Sequence, residues 1–433
     1  MPSDALVIGG GLVGASCALN LQLNGMHTTV IDPATTRRGA SWGNAGHLAT
    51  EQAEPLASRK TLRSFPRRLF FRGGALSLPA RDMDVWLPFA LRLIRSSAPD
   101  RFAAGTAALR SLLRGAIPAW KQLAGAASAG DLISEEGHFV VWETPAGAEA
   151  GRTAWRGTDI GTASFRDATA EEIAALSAQV SRPIAGAIRF LGTGQVLDLG
   201  ELADCLIAHL VLLGGSQRTA RVQKLTVDGS TASVMLDDGE RLRADVVVVA
   251  AGVASGALLQ PLGYRVPIIA ERGYHIQSAS ADWPAGLPPI AFEERSMIVT
   301  PFRSGLRAAS FVEFGRADSP PDPKKWVRLR SHVAELGLPF REVSEWFGAR
   351  PTLPDYLPAL GRSRRAINLL YAFGHQHLGL TLAAITGKLI AALARREPTE
   401  IDVTPFDLER FRSRARCALG CTRHTQRCRA DSR

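Results

Sequence analysis

The chain has 433 residues, 46% of them hydrophobic and 21% charged, which fits a globular protein with a full core and a length that suits two domains. Its formal charge of +10 suggests a nucleic-acid partner, yet eight arginines against one acid between Arg410 and Arg433 supply +7 of it. The basic character therefore belongs to the tail (412–433), which is expected to be solvated, disordered and dispensable, and no nucleic-acid partner is expected.

The N-terminus enters a strand at once, without the basic and apolar segments of a leader, and no run reaches the roughly 18 apolar residues of a membrane span. The nearest, 378–393, is interrupted by Lys388. Of five cysteines, Cys17 and Cys205 lie in apolar helical contexts. Cys417, Cys421 and Cys428 surround His424 at a spacing that matches no standard zinc pattern, so no metal is expected. Nothing suggests a disulfide framework, and a cytoplasmic location follows as the expectation. Peripheral contact with the inner membrane through basic segments such as Arg59-Lys60 through Arg68 stays open beside a plain solvated face.

In chain order, Ala5 to Ile8 reads as a buried parallel strand, followed by Gly9-Gly10-Gly11-Leu12-Val13-Gly14 and a helix ending at Asn24-Gly25. Thr28 to Ile31 is the next strand and terminates in Asp32. Residues 84–124 are helical, punctuated by Pro88, Pro99 and Pro118. His138 to Glu143 returns to strand, and 144–162 reads as surface connection. A helix over 200–213 precedes turns at Asp228-Gly229 and Asp238-Gly239. Val246 to Val249, ending in Ala250-Ala251-Gly252, is too apolar for a sheet edge and is expected at the centre. Residues 267–277, 296–300 and 306–314 read as strands of a separate antiparallel sheet. Leu369 to Phe373 is a further buried strand, leading through Gly374 to a helix over about 381–395. Nucleotide-domain elements thus occur at the start, middle and end, an interleaved arrangement.

The opening loop has G-x-G-x-x-G spacing. Gly9 permits a sharp exit from the strand, Gly11 lets the backbone approach a pyrophosphate, and Gly14 lets helix and strand pack closely. The N–H groups of Leu12 and Val13 open the helix toward phosphates, and Asp32 can accept from ribose hydroxyls. This spacing alone does not separate one dinucleotide from another. A second glycine-rich loop, Gly39 to His47 (with Ser41, Asn44, Ala45 and Gly46), follows too closely for another βαβ unit. Ala251-Gly252 and Gly374-His375-Gln376-His377-Leu378-Gly379-Leu380-Thr381 supply later turns that can close on the same ligand.

These segments, with Ala49-Thr50-Glu51-Gln52, Arg272-Gly273-Tyr274-His275 and Arg350-Pro351-Thr352-Leu353-Pro354-Asp355, resemble the FAD-dependent D-amino-acid oxidase/dehydrogenase family, nearest to D-amino-acid and D-hydroxyproline dehydrogenases. The resemblance runs from the first strand to about Phe411. It implies an α/β fold in which a Rossmann-like FAD-binding domain (1–60, 190–265 and 350–411) is interleaved with an α+β substrate domain built on an antiparallel sheet (61–189 and 266–349). It also implies noncovalent FAD and oxidation of the C–N bond of a D-amino acid by hydride transfer to the flavin. Oxygen, a quinone or a carrier protein would take up the electrons. Substrates of the D-proline or D-hydroxyproline type, or of the sarcosine or glycine type, remain open alternatives, as does a non-catalytic nucleotide-binding module. The resemblance places Arg350 opposite the substrate carboxylate, which a planar guanidinium can bind bidentately. A structural arginine in a proline-rich loop is the rival reading. Tyr274 is expected to add a hydrogen bond to substrate, against a core strand tyrosine. His47 is expected near the isoalloxazine, against an ordinary loop histidine. His375 and His377 lack the further ligands that a metal needs.

Overall fold

The computed structural model describes residues 4–33, 39–279 and 282–412. The expectations for the arginine- and cysteine-rich tail, including Cys417, Cys421, His424 and Cys428, lie outside the described residues.

The strand Asp4–Ile8 buries its four apolar residues and pairs in parallel with His27–Asp32 on one side and Val246–Val249 on the other. The whole sheet runs Ser216–Thr219, His27–Asp32, Asp4–Ile8, Val246–Val249, Leu369–Phe373, Ala359–Arg362, and only its last strand is antiparallel. The four-valine run is central, as its lack of any polar face requires.

Two apolar helices cover one face. Leu12–Leu23 and Gly379–Ala394 approach so closely that a Cβ on Gly387 would stand 2.4 Å from the carbonyl oxygen of Ser16. Leu380, Leu382, Ile385, Leu389 and Ile390 of the second helix are each at most 2% exposed, and each contributes about 2 kcal/mol of apolar burial. The stretch 376–394 is long and apolar enough to cross a membrane, but 72% of its most apolar window is buried, which makes it a core helix of this fold. Helix Leu199–Leu212 lies alongside, opened by Asp198, whose carboxylate accepts from Gly200 and Glu201 N–H.

The second large sheet has nine strands. Eight run in the order Ser344–Thr352, Ile269–Ser278, Gly305–Gly315, Met297–Phe302, Ile290–Phe292, His138–Trp142, Gly186–Leu191, Ser164–Asp167, and Leu76–Ser77 pairs separately with Gly305–Gly315. It is mixed rather than purely antiparallel: Ile290–Phe292 beside His138–Trp142, and Leu76–Ser77 beside Gly305–Gly315, are parallel pairs. Three expected domain boundaries fall inside elements, near 60 in helix Arg59–Arg68, near 190 in strand Gly186–Leu191 and near 350 in strand Ser344–Thr352.

The stretch expected as surface connection after residue 143 contains the helix Pro145–Arg156. Thr144 accepts from Gly147 N–H and Pro145 occupies the first turn, so both start signals are present in an Ala/Gly-rich stretch that masks them.

Candidate functional site

A cavity of about 2200 Å³ runs from the turn after the first strand to the nine-stranded sheet. Gly9 leaves the strand at φ 110°, and a Cβ there would meet the Ala250 carbonyl oxygen at 2.5 Å. Gly14 lies behind the wall. Its absent side chain lets the helix sit on the turn, since a Cβ would be 1.8 Å from the carbonyl oxygen of Gly9. Leu12 is buried in the core and offers only its backbone, whose N–H donates to Ser41 Oγ at 3.0 Å. Gly9, Gly10, Gly11, Val13, Asp32, Ala251 and Gly252 line the cavity. The Gly10 N–H donates to Asp32 Oδ2 at 2.6 Å, which fixes the carboxylate at the mouth of the turn.

The second glycine-rich loop adds Ser41, Asn44, Ala45 and His47 to the same wall. It is anchored from the nine-stranded sheet. Buried Arg307 donates to the carbonyls of Trp42 and Asn44, and His275 Nδ1 donates to that of Gly43 at 3.2 Å. Burial lowers the Arg307 guanidinium to about 10 and His275 to about 3, so the latter is neutral and stacked on Trp346. Asn44 Oδ1 accepts from Gly46 N–H at 2.9 Å. Gly46, Gly374 and Thr381 stand behind the wall, and Thr381 Oγ1 accepts from Ala49 N–H at 2.9 Å, tying this loop to the late helix. Gly379 and Leu380 open that helix on the cavity.

His47 is committed on both ring nitrogens, Nδ1 to the Gly194 carbonyl at 3.1 Å and Nε2 to Glu51 at 3.0 Å. Burial raises the Glu51 carboxyl, but the charge and hydrogen bond of His47 outweigh it and hold it at about 2. His138 lies against His47 at 4.3 Å between ring centroids, and burial lowers it to about 3. Among the described residues, His47, Glu51 and His138 are one group whose potential ligand atoms all lie within 4.8 Å of one another, a feature the spacing of these residues did not announce.

At the other end, Arg350 extends from strand Ser344–Thr352, not from a loop. Its Nη1 donates to Glu271 Oε1 at 3.1 Å, and it lines the cavity. Glu271 is 1% exposed and also accepts from Thr352 Oγ1 and the Tyr356 hydroxyl. Burial, then Glu271, push the Tyr356 hydroxyl well up, so it stays protonated and donates. Gly273 makes room for the guanidinium, because a Cβ there would lie 2.3 Å from Arg350 Nη2. His377 bonds Gln52 Oε1 through Nε2, and burial lowers it to about 4. His375 bonds Thr386 Oγ1 at 3.0 Å inside the fold. Gln376 (φ 48°) and Tyr356 (φ 57°) hold left-handed backbone here, a strain that this corner of the fold sustains.

Tyr274 requires a correction. It borders the cavity, but its hydroxyl donates to Glu313 at 3.0 Å and accepts from Arg272 and from Asp322 N–H. The hydroxyl is fully engaged on the opposite face of the sheet, so the substrate hydrogen bond expected of it has no free atom to make it. The residues not anticipated are Glu271, Tyr356, Arg307 and Gln52.

The donor set fits an FAD. A glycine turn without side chains opens a helix N-terminus, Asp32 stands at the end of the adjoining strand, and one continuous cavity leads on past the second loop. Gly9, Gly10, Gly11, Val13 and Asp32 would hold the ADP portion, and Ser41 to Ala45 with Gly379 and Leu380 would border the flavin.

A D-amino-acid oxidase of Bradyrhizobium diazoefficiens is 29% identical over 414 residues, 94% of this chain and 98% of that one. A D-amino acid dehydrogenase of Paramagnetospirillum magneticum is 28% identical over 436 residues, 94% and 99% of the two chains. Among solved structures, iminodiacetate oxidase from Chelativorans sp. BNC1 superposes with a TM-score of 0.69 at 21% identity, covering 93% of this chain and 98% of the other, which shows a common fold. The family model described as FAD dependent oxidoreductase (DAO) matches residues 4–393, and the chain belongs to that family.

Proposed function

We propose that this protein oxidises the C–N bond of D-amino acids to the corresponding imino acids. The observation that carries the reading is the Arg350 guanidinium, held by buried Glu271 at the end of the cavity opposite the dinucleotide turn. The choice of enantiomer follows the two relatives named above.

When bound, FAD supplies the two-electron acceptor for hydride. Arg350 grips the substrate carboxylate with the guanidinium edge that Glu271 leaves free, and so fixes which face of Cα is presented. The substrate ammonium loses one proton to solvent before reaction. The amine lone pair then forms the C=N bond as the Cα–H bond breaks and its electron pair departs as hydride, leaving the protonated imino acid. No strong base at Cα is needed. Neutral His377 adds no second cation to compete for the carboxylate, and the apolar side chains of Val140 and Ile298 along the wall exclude water.

Arg350→Met tests this. It removes a charge-assisted pair, and KM for the D-amino acid rises about 100-fold while the flavin content of the purified protein is unchanged. An unaltered KM removes Arg350 from the role.

A further inference from the structure

Helix Met83–Ser96 departs from the pattern of a surface helix. Its inner face (Val85, Trp86, Phe89 and Leu93) packs with Ile269 and Phe314 beneath the nine-stranded sheet. Its outer face should then be polar. Instead Met83 (52% exposed), Leu87 (43%), Leu91 (57%) and Ile94 (52%) recur at helical spacing along it. They form an apolar stripe with no covering element among the described residues. Phe71, nearby in sequence, is 76% exposed. Isolated exposed leucines are ordinary, but a four-residue stripe on one helix is not.

The preceding helix, Arg59–Arg68, carries Arg59, Lys60, Arg63, Arg67 and Arg68 and no acid. From Arg59 to Ser96 there are nine cations against two acids, Asp82 and Asp84, and both acids are paired with Arg316. Both segments contribute to the wall of the same cavity. Arg67, Arg68 and Arg72 from the basic segment and Trp86, Ala90 and Ile94 from the apolar helix all line the cavity, and Ile94 is at once half exposed and part of its wall.

We propose that this face docks the protein on an anionic lipid bilayer, with the apolar stripe entering the headgroup boundary, the basic helix against lipid phosphates and the cavity mouth turned to the membrane. Charge selects this occupant. A second copy of the chain would bring another set of nine cations to the same patch, whereas an anionic bilayer satisfies apolar side chains and cations together. The inference is independent of the substrate assigned above, because binding requires no turnover.

The test is vesicle flotation of the flavin-loaded protein, with phosphatidylcholine vesicles and with vesicles that also contain phosphatidylglycerol. The protein floats with the mixed vesicles at least about ten-fold more than with the neutral ones, and added salt weakens the binding. The variant Met83→Ser/Leu87→Ser/Leu91→Ser keeps its flavin and its turnover with a soluble dye but no longer floats. Arg59→Glu/Lys60→Glu/Arg63→Glu loses the preference for anionic lipid. Equal recovery with both vesicle types, or flotation undiminished in the serine variant, overturns the proposal. So does a dimer in sedimentation that the serine variant converts to monomer, since a second copy would then cover the stripe. Absence of D-amino-acid turnover leaves this result standing, and absence of flotation leaves the substrate assignment standing.

Discussion

The carboxylate grip proposed for Arg350 depends on what stands behind it. Glu271 takes hydrogen bonds from Arg350, Thr352 and Tyr356, so a single buried carboxylate sets the guanidinium, the strand end and the following turn. Glu271→Gln keeps the shape and removes the charge. KM for the D-amino acid then rises about ten-fold with kcat nearly unchanged, and Glu271→Asp recovers part of the loss. Loss of flavin or of fold in the Gln variant would show a structural role instead. Arg350 stands inside a motif that the sequence displays, whereas Glu271, its partner, lies one residue outside another. Strand alternation explains why: Glu271 and Gly273 lie beside Arg350, whereas the polar groups of Arg272 and Tyr274 join the buried Glu313–Lys325 cluster. Tyr274 borders the cavity, but its hydroxyl is spent on that cluster.

Among the elements, the glycine turn was read from spacing and strand context alone, and the packing at Gly14 gives that spacing its physical reason. Gly14→Ala places a methyl 1.8 Å from the Gly9 carbonyl oxygen, so helix Leu12–Leu23 must lift from the sheet. The variant is expected to purify without flavin and to lose about 3 kcal/mol of stability, read from the ratio of flavin to protein absorbance and from a denaturant midpoint. A yellow variant of normal stability would contradict the packing account. The helices that went unread had audible starts: Thr144-Pro145, Asp322-Pro323 and the Thr169…Glu172 capping box. Their charged and small residues gave these stretches the composition of surface loops, although in Pro323–Glu335 the buried Trp326, Leu329 and Val333 recur at helical spacing. The pairing of Ile290–Phe292 with His138–Trp142 was not legible either, since a short apolar run does not name a partner 150 residues away.

For the molecule as a whole, folding around one long cavity buries several imidazoles. Burial lowers His138, His275 and His375 to about 3 and His377 to about 4, against about 6.5 in the unfolded chain. Between those values the unfolded state binds protons that the folded state refuses, so stability is complete above about pH 6.5 and declines as the pH falls, by up to about 1.4 kcal/mol per pH unit for each histidine. Tm is therefore expected to drop steeply between pH 6.5 and 4.5. A flat Tm across that range would mean these rings are solvated. The interleaved order of the chain was legible because a valine run without a polar face admits only a central strand. The joining of dinucleotide turn and Arg350 in one cavity was not, for it depends on a sheet whose strands come from four separate stretches of sequence.

The central claim is that Arg350 and an FAD bound at the opening turn together make a D-amino-acid oxidising site. Anaerobic titration of the yellow protein with D-amino acids, their L-enantiomers, cyclic imino acids and sarcosine, followed at the flavin absorption bands, tests it most directly. Bleaching by D-amino acids and not by L-enantiomers, abolished in Arg350→Met at the same concentrations, is the predicted result. A flavin that stays oxidised with every D-amino acid, or bleaches with L-enantiomers instead, would contradict it.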